Sequence, residues 1–311
     1  MDSWSPASAT AAGDDRAALN KGVPAPLCWL NGEIMPMARA CIPVSDHGLL
    51  YGDGVFEGVR FYRGRAFRLS GHLRRLRDSA AAIGLMLPLE QGVLETAVAD
   101  LIAAFGAPEG YLRLVVTRGV GALGLDPASC KRGNVFIIAA QMALVDEAER
   151  RRGIRAIIAA TRRLPVDGLD PRIKSLNYLN HILARMEASH AGAQEAILLN
   201  GRGHVCEGSA DNVFIVREGA LLTPPVSDGA LDGVTRGVVM ALAARAGIAC
   251  REATLTPYDL YTADECFLTG TGAELIPVRD IDGRAPRQCP GVVYRELQAR
   301  FQALIQRETA A

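Results

Sequence analysis

Hydrophobic and polar positions alternate with two different periods along the chain, and these periods predict a mixture of strands and helices. Residues 28–34 are predicted to form two short strands around the turn Asn31-Gly32. Apolar side chains recur at helical spacing between residues 73 and 83, behind Ser70 as the predicted N-cap. Another helix, residues 176–191, is predicted to begin just after Lys174. Because strands and helices are mixed without strict βαβ alternation, the pattern favours an α+β architecture.

The other predicted elements divide the chain into two units. Residues 146–152, charged and without periodicity, are predicted to join an N-terminal unit, residues 27–145, to a C-terminal unit, residues 153–307. Residues 1–26, rich in Ala, Ser, Asp and Pro, are predicted to be a disordered tail rather than a signal peptide. Further strands are expected at residues 54–62, 111–117, 134–140, 154–160, 196–200, 204–207, 213–216, 221–222, 265–269 and 275–278, and further helices at 90–105, 235–246 and 291–306.

Composition narrows the class of protein. The 311 residues are 49% hydrophobic and carry a formal net charge of zero, which argues against nucleic acid or an anionic membrane as the main partner. The longest apolar run, residues 137–145, is too short to span a bilayer. Seven scattered cysteines without a CxxC or a zinc-like spacing are typical of a reducing compartment. We therefore expect a cytoplasmic protein without a metal site.

One glycine motif resembles a dinucleotide-binding loop. Residues 119–124 match G-x-G-x-x-G and follow a predicted strand. A dinucleotide fold requires a helix to open inside the motif, but Asp126-Pro127 follows almost at once. A NAD-dependent enzyme is therefore a weak alternative, and the glycines are expected to let a loop approach a small ligand closely.

Lysine is rare in this chain. Only three of the 34 basic residues are lysines, namely Lys21, Lys131 and Lys174. Arginine cannot readily lose its proton to become a nucleophile, so a lysine kept between an apolar residue and a predicted helix is a candidate covalent catalyst. Alternatively, Lys174 could have remained by chance in a sequence with a strong bias toward arginine. The scarcity of lysine alone does not distinguish these two explanations.

The groups that a lysine needs to work with pyridoxal 5'-phosphate follow Lys174 along the chain. Tyr178 could hydrogen-bond a cofactor oxygen, and Glu207 could keep a pyridine nitrogen protonated. Each also has an ordinary explanation, since the glutamate alone would be a surface hairpin residue and a helix-opening threonine an N-cap. Two turns rich in glycine and hydroxyl groups could bind a phosphate, at residues 233–235 and 269–272.

Five motifs in order resemble the fold-type IV (class IV) pyridoxal-phosphate-dependent aminotransferases, over about residues 27–301. Within that group the chain is most similar to branched-chain amino-acid aminotransferases. The resemblance implies a two-domain α+β enzyme of the D-amino-acid aminotransferase-like fold, with the cofactor at the domain interface. The motifs are SDHGLLYGDGVFEGVR at residues 45–60, RIKSLNY at 172–178, Glu207-Gly208, DGVTR at 232–236, and Thr269-Gly270-Thr271 through Glu274 to Pro277.

The resemblance also implies roles for single residues. Lys174 would carry pyridoxal 5'-phosphate as a Schiff base and move the proton between the substrate Cα and the cofactor. Glu207 would pair with the pyridine nitrogen and Tyr178 with the ring hydroxyl. The phosphate would be held by Arg75, Val234, Thr235 and Thr271.

On the substrate side the resemblance implies transfer of the amino group of leucine, isoleucine or valine to 2-oxoglutarate. Arg113 would offer a fork for the distal carboxylate of the oxo acid. Tyr51 and the loop 121–125 would come from a neighbouring subunit, which implies a homodimer or a higher oligomer. Gly272 stands where alanine is more usual, which leaves the substrate preference open. The other substrate-binding residues would be Phe56, Arg60, Tyr111, Leu123, Leu125 and Thr271.

Three alternatives of the same class remain open: a D-amino-acid aminotransferase, a broad-range class IV aminotransferase and a 4-amino-4-deoxychorismate lyase. The first usually has Val-Tyr-Glu where this chain has Val55-Phe56-Glu57, and an arginine where residues 121–125 are apolar. The lyase usually lacks the Phe-Glu-Gly-Val-Arg run. A catalytically silent paralogue is a further alternative, and the intact Lys174, Tyr178 and Glu207 argue against it.

Overall fold

The protein is described by a computed structural model that defines residues 24–142 and 147–310. Within these residues the strands form two sheets, one of six and one of eight strands, and helices pack on both. The predicted α+β class is confirmed. None of the helices in the described residues is long and apolar enough to cross a membrane.

The N-terminal sheet is antiparallel. Its strands are β1 (Leu27–Leu30), β2 (Glu33–Pro36), β3 (Gly54–Tyr62), β4 (Arg65–Ala66), β5 (Glu109–Thr117) and β6 (Asn134–Ala140), and they lie in the order β2-β1-β6-β5-β3-β4. The helices of this half are α1 (His47–Tyr51), α2 (Leu69–Ala82) and α3 (Gln91–Phe105).

Strand β3 gives this sheet one core face and one face toward the rest of the molecule. Successive side chains of a strand point to opposite faces. Val55, Val59 and Phe61 are fully buried in one apolar cluster with residues of α2 and α3. The alternate residues, among them Phe56 and Arg60, therefore face the C-terminal half.

The C-terminal sheet mixes parallel and antiparallel pairs. Its strands are β7 (Ile154–Ile158), β8 (Glu195–Leu199), β9 (Val205–Gly208), β10 (Asn212–Arg217), β11 (Ala220–Thr223), β12 (Cys250–Glu252), β13 (Glu265–Gly270) and β14 (Glu274–Ile281), in the order β12-β11-β10-β13-β14-β7-β8-β9. Helices α6 (Val234–Arg245) and α8 (Val292–Glu308) pack in one apolar cluster with β10 and β13, α7 (Pro257–Tyr261) packs in another, and α5 (Leu179–His190) packs on β8 through alanines.

The segment around Lys174 differs from the prediction. Helix α5 begins at Leu179, three residues later than expected, because the preceding residues are extended along β3. Ser175 forms a bridge with Val55, and the backbone hydrogen bonds on both sides of it continue this pairing. The prediction that a helix begins just after Lys174 is therefore wrong.

One prediction at an element end is also wrong. Ser70 is not an N-cap, because α2 already begins after Arg68, whose backbone turns the chain with a φ of 58°. The described part of residues 146–152 forms a short helix, α4 (Glu147–Arg152). The division into residues 27–145 and 153–307 stays a prediction. The predicted tail lies, except for residues 24–26, outside the described part of the chain.

Candidate active site

The backbone of Lys174 is fixed by the N-terminal half of the molecule. Its carbonyl accepts a hydrogen bond from the N–H of Phe56 at 2.9 Å, and its N–H donates to Ser79 Oγ at 3.1 Å. Strand β3 and helix α2 thus hold a lysine whose chain continues into the C-terminal half. The lysine lies where the two sheets meet.

The side chain of Lys174 ends among aromatic rings. Its Nζ lies 3.2 Å from the hydroxyl of Tyr178 and 4.6 Å from the centre of the Phe56 ring. Within the described residues no carboxylate forms a salt bridge with it. An amine in this setting has a phenol to exchange a hydrogen bond with and no fixed counter-ion, which suits a lysine that must react as a free base.

Tyr178 is itself held by a neutral histidine. Its ring stacks on His181 with 4.4 Å between ring centres and 15° between planes. His181 Nδ1 donates to the carbonyl of Ser209 at 2.8 Å. Burial, together with nearby Arg163, lowers the pKa of His181 to about 3, so the ring is uncharged at neutral pH. The histidine therefore packs against the phenol without adding a charge beside Lys174.

Glu207 is a buried carboxylate in β9, with 4% of its surface exposed. One oxygen accepts from Arg163 Nε at 2.8 Å, and the other accepts from the N–H of Leu231 at 2.8 Å. Burial raises the pKa of Glu207 even though Arg163 and Lys174 lower it in part. The surface-hairpin explanation for this glutamate is wrong. Its carboxylate needs a further positive partner to be stable as an anion.

Arg75 of α2 reaches from the N-terminal half to the C-terminal half. Its Nε and Nη2 donate to the two oxygens of Glu57 at 2.7 and 2.9 Å, and its Nη1 donates to the carbonyl of Asp232 at 2.7 Å. A guanidinium has five N–H groups, so two of them remain for a ligand. They lie beside the start of α6, because Asp232 is two residues before that helix.

The start of α6 offers backbone N–H groups. Gly233 is the N-cap and no side chain caps the helix, so the first-turn N–H groups of Val234 and Thr235 have no side-chain acceptor there. The alternative in which Thr235 is the N-cap is wrong. A Cβ at Gly233 would lie 2.0 Å from Asn212 Oδ1, which explains why glycine stands at this position. Thr271 lies in the turn between β13 and β14, and among the described residues no hydrogen bond joins it to Arg75 or Thr235.

The face of the N-terminal sheet toward the C-terminal half carries the predicted substrate residues. Arg113 lies 4.6 Å above the Phe56 ring and 5.6 Å above the Tyr111 ring, and its Nε is buried without a partner in the described structure. Arg60 Nη1 donates to the carbonyl of Gly272 at 3.2 Å. These five residues are thus brought to one surface, and Arg113 has a donor left for an anionic ligand.

Gly58 makes room for one of these side chains. It pairs with Arg113 across β3 and β5, and a Cβ added to it would lie 1.9 Å from the hydroxyl of Tyr111. The phenol of Tyr111 therefore occupies the space that any other residue at position 58 would fill.

Tyr51 and the loop 121–125 meet each other, and no hydrogen bond, salt bridge or ring contact within the described residues joins either of them to Lys174. The Tyr51 hydroxyl accepts from the N–H of Gly124 at 3.0 Å. Leu123 and Leu125 are 85% and 82% exposed. No helix opens within residues 119–124, as expected, and this removes the structural basis for a dinucleotide site.

The sequence did not identify Arg163, Glu57 or His181 as site residues. Arg163 stands in a basic pair after β7, and nothing local distinguishes it from a surface residue. Glu57 and His72 belong to predicted elements, but only the packing of α2 on β3 shows that they meet at 2.7 Å. For Glu57 a signal existed, namely a charged residue on the apolar face of a strand.

Known proteins resemble this chain both in sequence and in structure. A family model described as Amino-transferase class IV matches residues 54–281. A Methanocaldococcus jannaschii protein named "Putative branched-chain-amino-acid aminotransferase" is 48% identical over 275 residues, which cover 88% of this chain and 94% of that protein. The structure of the branched-chain amino acid aminotransferase from Escherichia coli matches with a TM-score of 0.84 and 34% identity over 90% of this chain and 94% of that one. The branched-chain amino acid aminotransferase from Thermobaculum terrenum, in its PLP-form, matches with a TM-score of 0.81 and 30% identity, over 92% and 95%.

Proposed function

The chain belongs to the class IV aminotransferases, and from that premise we propose that it transfers the amino group of L-leucine, L-isoleucine or L-valine to 2-oxoglutarate with pyridoxal 5'-phosphate bound at Lys174. The observation that carries the proposal is the placement of Lys174 Nζ, 3.2 Å from Tyr178 Oη and without a carboxylate partner in the described residues. The relatives with 48% and 34% identity are named for branched-chain substrates, which supports this substrate class.

The residues of this chain fit pyridoxal 5'-phosphate. Burial raises the pKa of Glu207 because its carboxylate lacks enough positive charge around it, and a protonated pyridine nitrogen would supply that charge. Arg75 has two N–H groups left, and the first turn of α6 adds backbone donors for a phosphate. The relative from Thermobaculum terrenum has a structure in its PLP-form, which supports the same cofactor here.

When bound, the cofactor supplies an electron sink that makes the Cα proton of an amino acid removable. The chain's own groups manage that proton. Lys174 Nζ would move it between the substrate Cα and the cofactor, and Tyr178 Oη, at 3.2 Å, keeps the amine in place. Glu207 holds the pyridine end, and Arg163 holds Glu207 at 2.8 Å.

The substrate pocket must accept both an apolar side chain and a carboxylate in turn. Phe56 and Tyr111 offer ring surface to a branched side chain, and Arg113 lies over both rings with an unused buried Nε. We assign Arg113 to the distal carboxylate of 2-oxoglutarate. Gly272, whose carbonyl is fixed by Arg60, leaves more space beside the substrate than alanine would.

A second copy of the chain would complete the site. Leu123 and Leu125 are exposed at the tip of the loop held by Tyr51. Helix α5 carries a second exposed apolar stripe at helical spacing, on the helix that follows Lys174, formed by Leu179, Ile182, Leu183 and Met186. Exposed apolar surface of this extent marks an interaction site, and we propose a homodimer in which the loop covers the partner's substrate pocket.

The dimer is tested with a charged residue in the loop. Leu123→Asp should shift the protein toward the monomer in sedimentation and should lower activity, whereas Met86→Asp, at a position that is 88% exposed, should change neither. A dimer that persists with full activity in Leu123→Asp would contradict the proposal.

The seven cysteines are free, which supports the proposed cytoplasmic location.

A panel of amino donors with 2-oxoglutarate tests the reaction. We expect L-leucine, L-isoleucine and L-valine to be the best donors and D-alanine to be inactive. Activity confined to D-amino acids would favour the D-amino-acid aminotransferase, and formation of 4-aminobenzoate from 4-amino-4-deoxychorismate would favour the lyase. Inactivity with every donor despite bound cofactor would favour a silent paralogue.

A further inference from the structure

Glu57 is a fully enclosed charged residue of the N-terminal half. It lies on the core face of β3 between Val55 and Val59, and none of its surface is exposed. Burial of a carboxylate among apolar residues is costly unless the charge is fully paired. Its neighbours on this face, Val55 and Val59, are apolar, so an apolar residue at position 57 would also fit the core.

This carboxylate accepts three charge-assisted hydrogen bonds. Arg75 donates Nε to Oε1 at 2.7 Å and Nη2 to Oε2 at 2.9 Å, and His72 Nδ1 donates to Oε2 at 2.7 Å. A buried ion pair of this kind often stabilises a protein no better than apolar residues of the same volume. Stability alone therefore does not explain why Glu57 stands here.

The geometry of Arg75 suggests the reason. A side-on pair with Glu57 fixes the plane and the direction of the guanidinium, and the bond from Nη1 to the carbonyl of Asp232 fixes its far end at 2.7 Å. The two unused N–H groups, one on each Nη, then point away from Glu57, toward the start of α6. These bonds restrain a long, otherwise flexible side chain.

We propose that Glu57 is a positioning residue for phosphate recognition, which aims the free N–H groups of Arg75 at the phosphate of the cofactor. The inference rests on the proposed function, in which pyridoxal 5'-phosphate is the ligand. Its specific content is that Glu57 contributes to the affinity for the phosphate group and not to the affinity for the pyridine ring.

The test compares pyridoxal 5'-phosphate with pyridoxal, which lacks the phosphate, on the full-length chain freed of cofactor. Glu57→Gln keeps the size but places an amide N–H group against a donor of Arg75 or His72. We expect the dissociation constant for pyridoxal 5'-phosphate to rise roughly tenfold or more, with that for pyridoxal unchanged. Glu265→Gln removes a similarly buried carboxylate, which accepts from the N–H groups of Val293 and Tyr294, and should change neither constant.

Two further variants extend the test, and the first of them, Glu57→Asp, keeps it decisive if Glu57→Gln folds poorly. Glu57→Asp retains the charge but shortens the side chain by one methylene group, so it should lose part of the preference for the phosphate-bearing ligand. In an Arg75→Gln background, Glu57→Gln should cause no further loss of this preference, because the group through which Glu57 acts is gone. Equal affinities of wild type, Glu57→Gln and Glu57→Asp for pyridoxal 5'-phosphate would overturn the proposal. A wild-type chain that binds neither ligand would instead overturn the proposed function.

Discussion

Each half of the molecule contains a buried glutamate paired with an arginine, and the two pairs differ in how complete they are. Glu57 receives both donors of the Arg75 fork and a third from His72. Glu207 receives only one nitrogen of Arg163 and one backbone N–H. The first carboxylate accepts three hydrogen bonds, whereas the second accepts two within the described residues and keeps more acceptor capacity for a ligand.

The pKa values follow from this difference. Burial raises the pKa of both carboxyls, but Arg75 and His72 outweigh it at Glu57 and lower its pKa to about 2. At Glu207 burial prevails over Arg163, and the pKa stays raised. A complete pair serves to orient another group, and an incomplete pair is suited to bind a positively charged ligand atom.

The largest effect is expected at the incomplete pair. Glu207→Gln should lower kcat/KM by roughly 10²–10⁴-fold, because a neutral amide does not keep the pyridine nitrogen protonated. Cofactor binding should weaken far less, since the phosphate contacts remain. Steady-state kinetics with L-leucine and 2-oxoglutarate, with a cofactor titration, measure the two effects. Full activity of this variant would show that Glu207 does not serve the pyridine nitrogen.

Removal of the arginine of the same pair should have a smaller effect. Arg163→Leu leaves Glu207 with one hydrogen bond, raises its pKa further and lets the side chain move. We expect kcat to fall roughly tenfold to a hundredfold, with a pH profile displaced toward higher pH. Arg172→Leu is a suitable control, because Arg172 is an exposed arginine that pairs with Asp170 and not with Glu207. An unchanged pH profile in Arg163→Leu would show that the ionisation of Glu207 does not determine the pH dependence of kcat.

Gly58→Ala changes the face of the N-terminal sheet that carries the predicted substrate residues, where neither glutamate–arginine pair lies. The new methyl group would displace the hydroxyl of Tyr111, which lies 1.9 Å from the position of the added Cβ. We expect KM for the amino donor to rise roughly tenfold, equivalent to about 1.4 kcal/mol, with cofactor affinity unchanged. A loss of cofactor affinity without any change in KM would place Tyr111 outside the substrate pocket. Gly92→Ala in α3, where an added Cβ meets open space, is the control.

The last prediction concerns the stability of the cofactor-free chain. The folded pKa of Glu57 lies below its ordinary value of 4.5, so its contribution is full above that value and is lost as the pH falls toward about 2. The difference in free energy of unfolding between wild type and Glu57→Gln, roughly 1–3 kcal/mol, should therefore shrink over that range. Glu207→Gln should behave in the opposite way, because a raised pKa makes the ionised carboxyl unfavourable above its ordinary value. Urea unfolding at several pH values measures both differences, and a gap for Glu57→Gln that widens at low pH would contradict this account.

The sequence predicted local elements and motif residues better than the contacts between them. The fold class, the strands around Asn31-Gly32 and the helix that ends before Gly247 follow from short-range patterns, and all agree with the structure. The start of α5 could not be predicted, because the extended pairing of Ser175 with β3 is a tertiary interaction that overrides helical periodicity.

The candidate site shows the same limit. Lys174, Tyr178 and Glu207 lie in motifs, and their chemistry could be predicted from residue type. Arg163 could not be predicted as the partner of Glu207, since 44 residues separate them and only the sheet brings them together. Glu57 was within a recognised motif, yet its role depends on the direction in which α2 crosses β3.

The central claim is that Lys174 binds the cofactor. The direct test is borohydride reduction of the purified protein in the presence of pyridoxal 5'-phosphate, followed by peptide mapping with mass spectrometry. The chain has only three lysines, so the assignment is unambiguous. We expect one stable phosphopyridoxyl adduct, on Lys174, and its absence in Lys174→Ala. An adduct spread over Lys21 and Lys131, or a protein that remains colourless and unmodified, would contradict it.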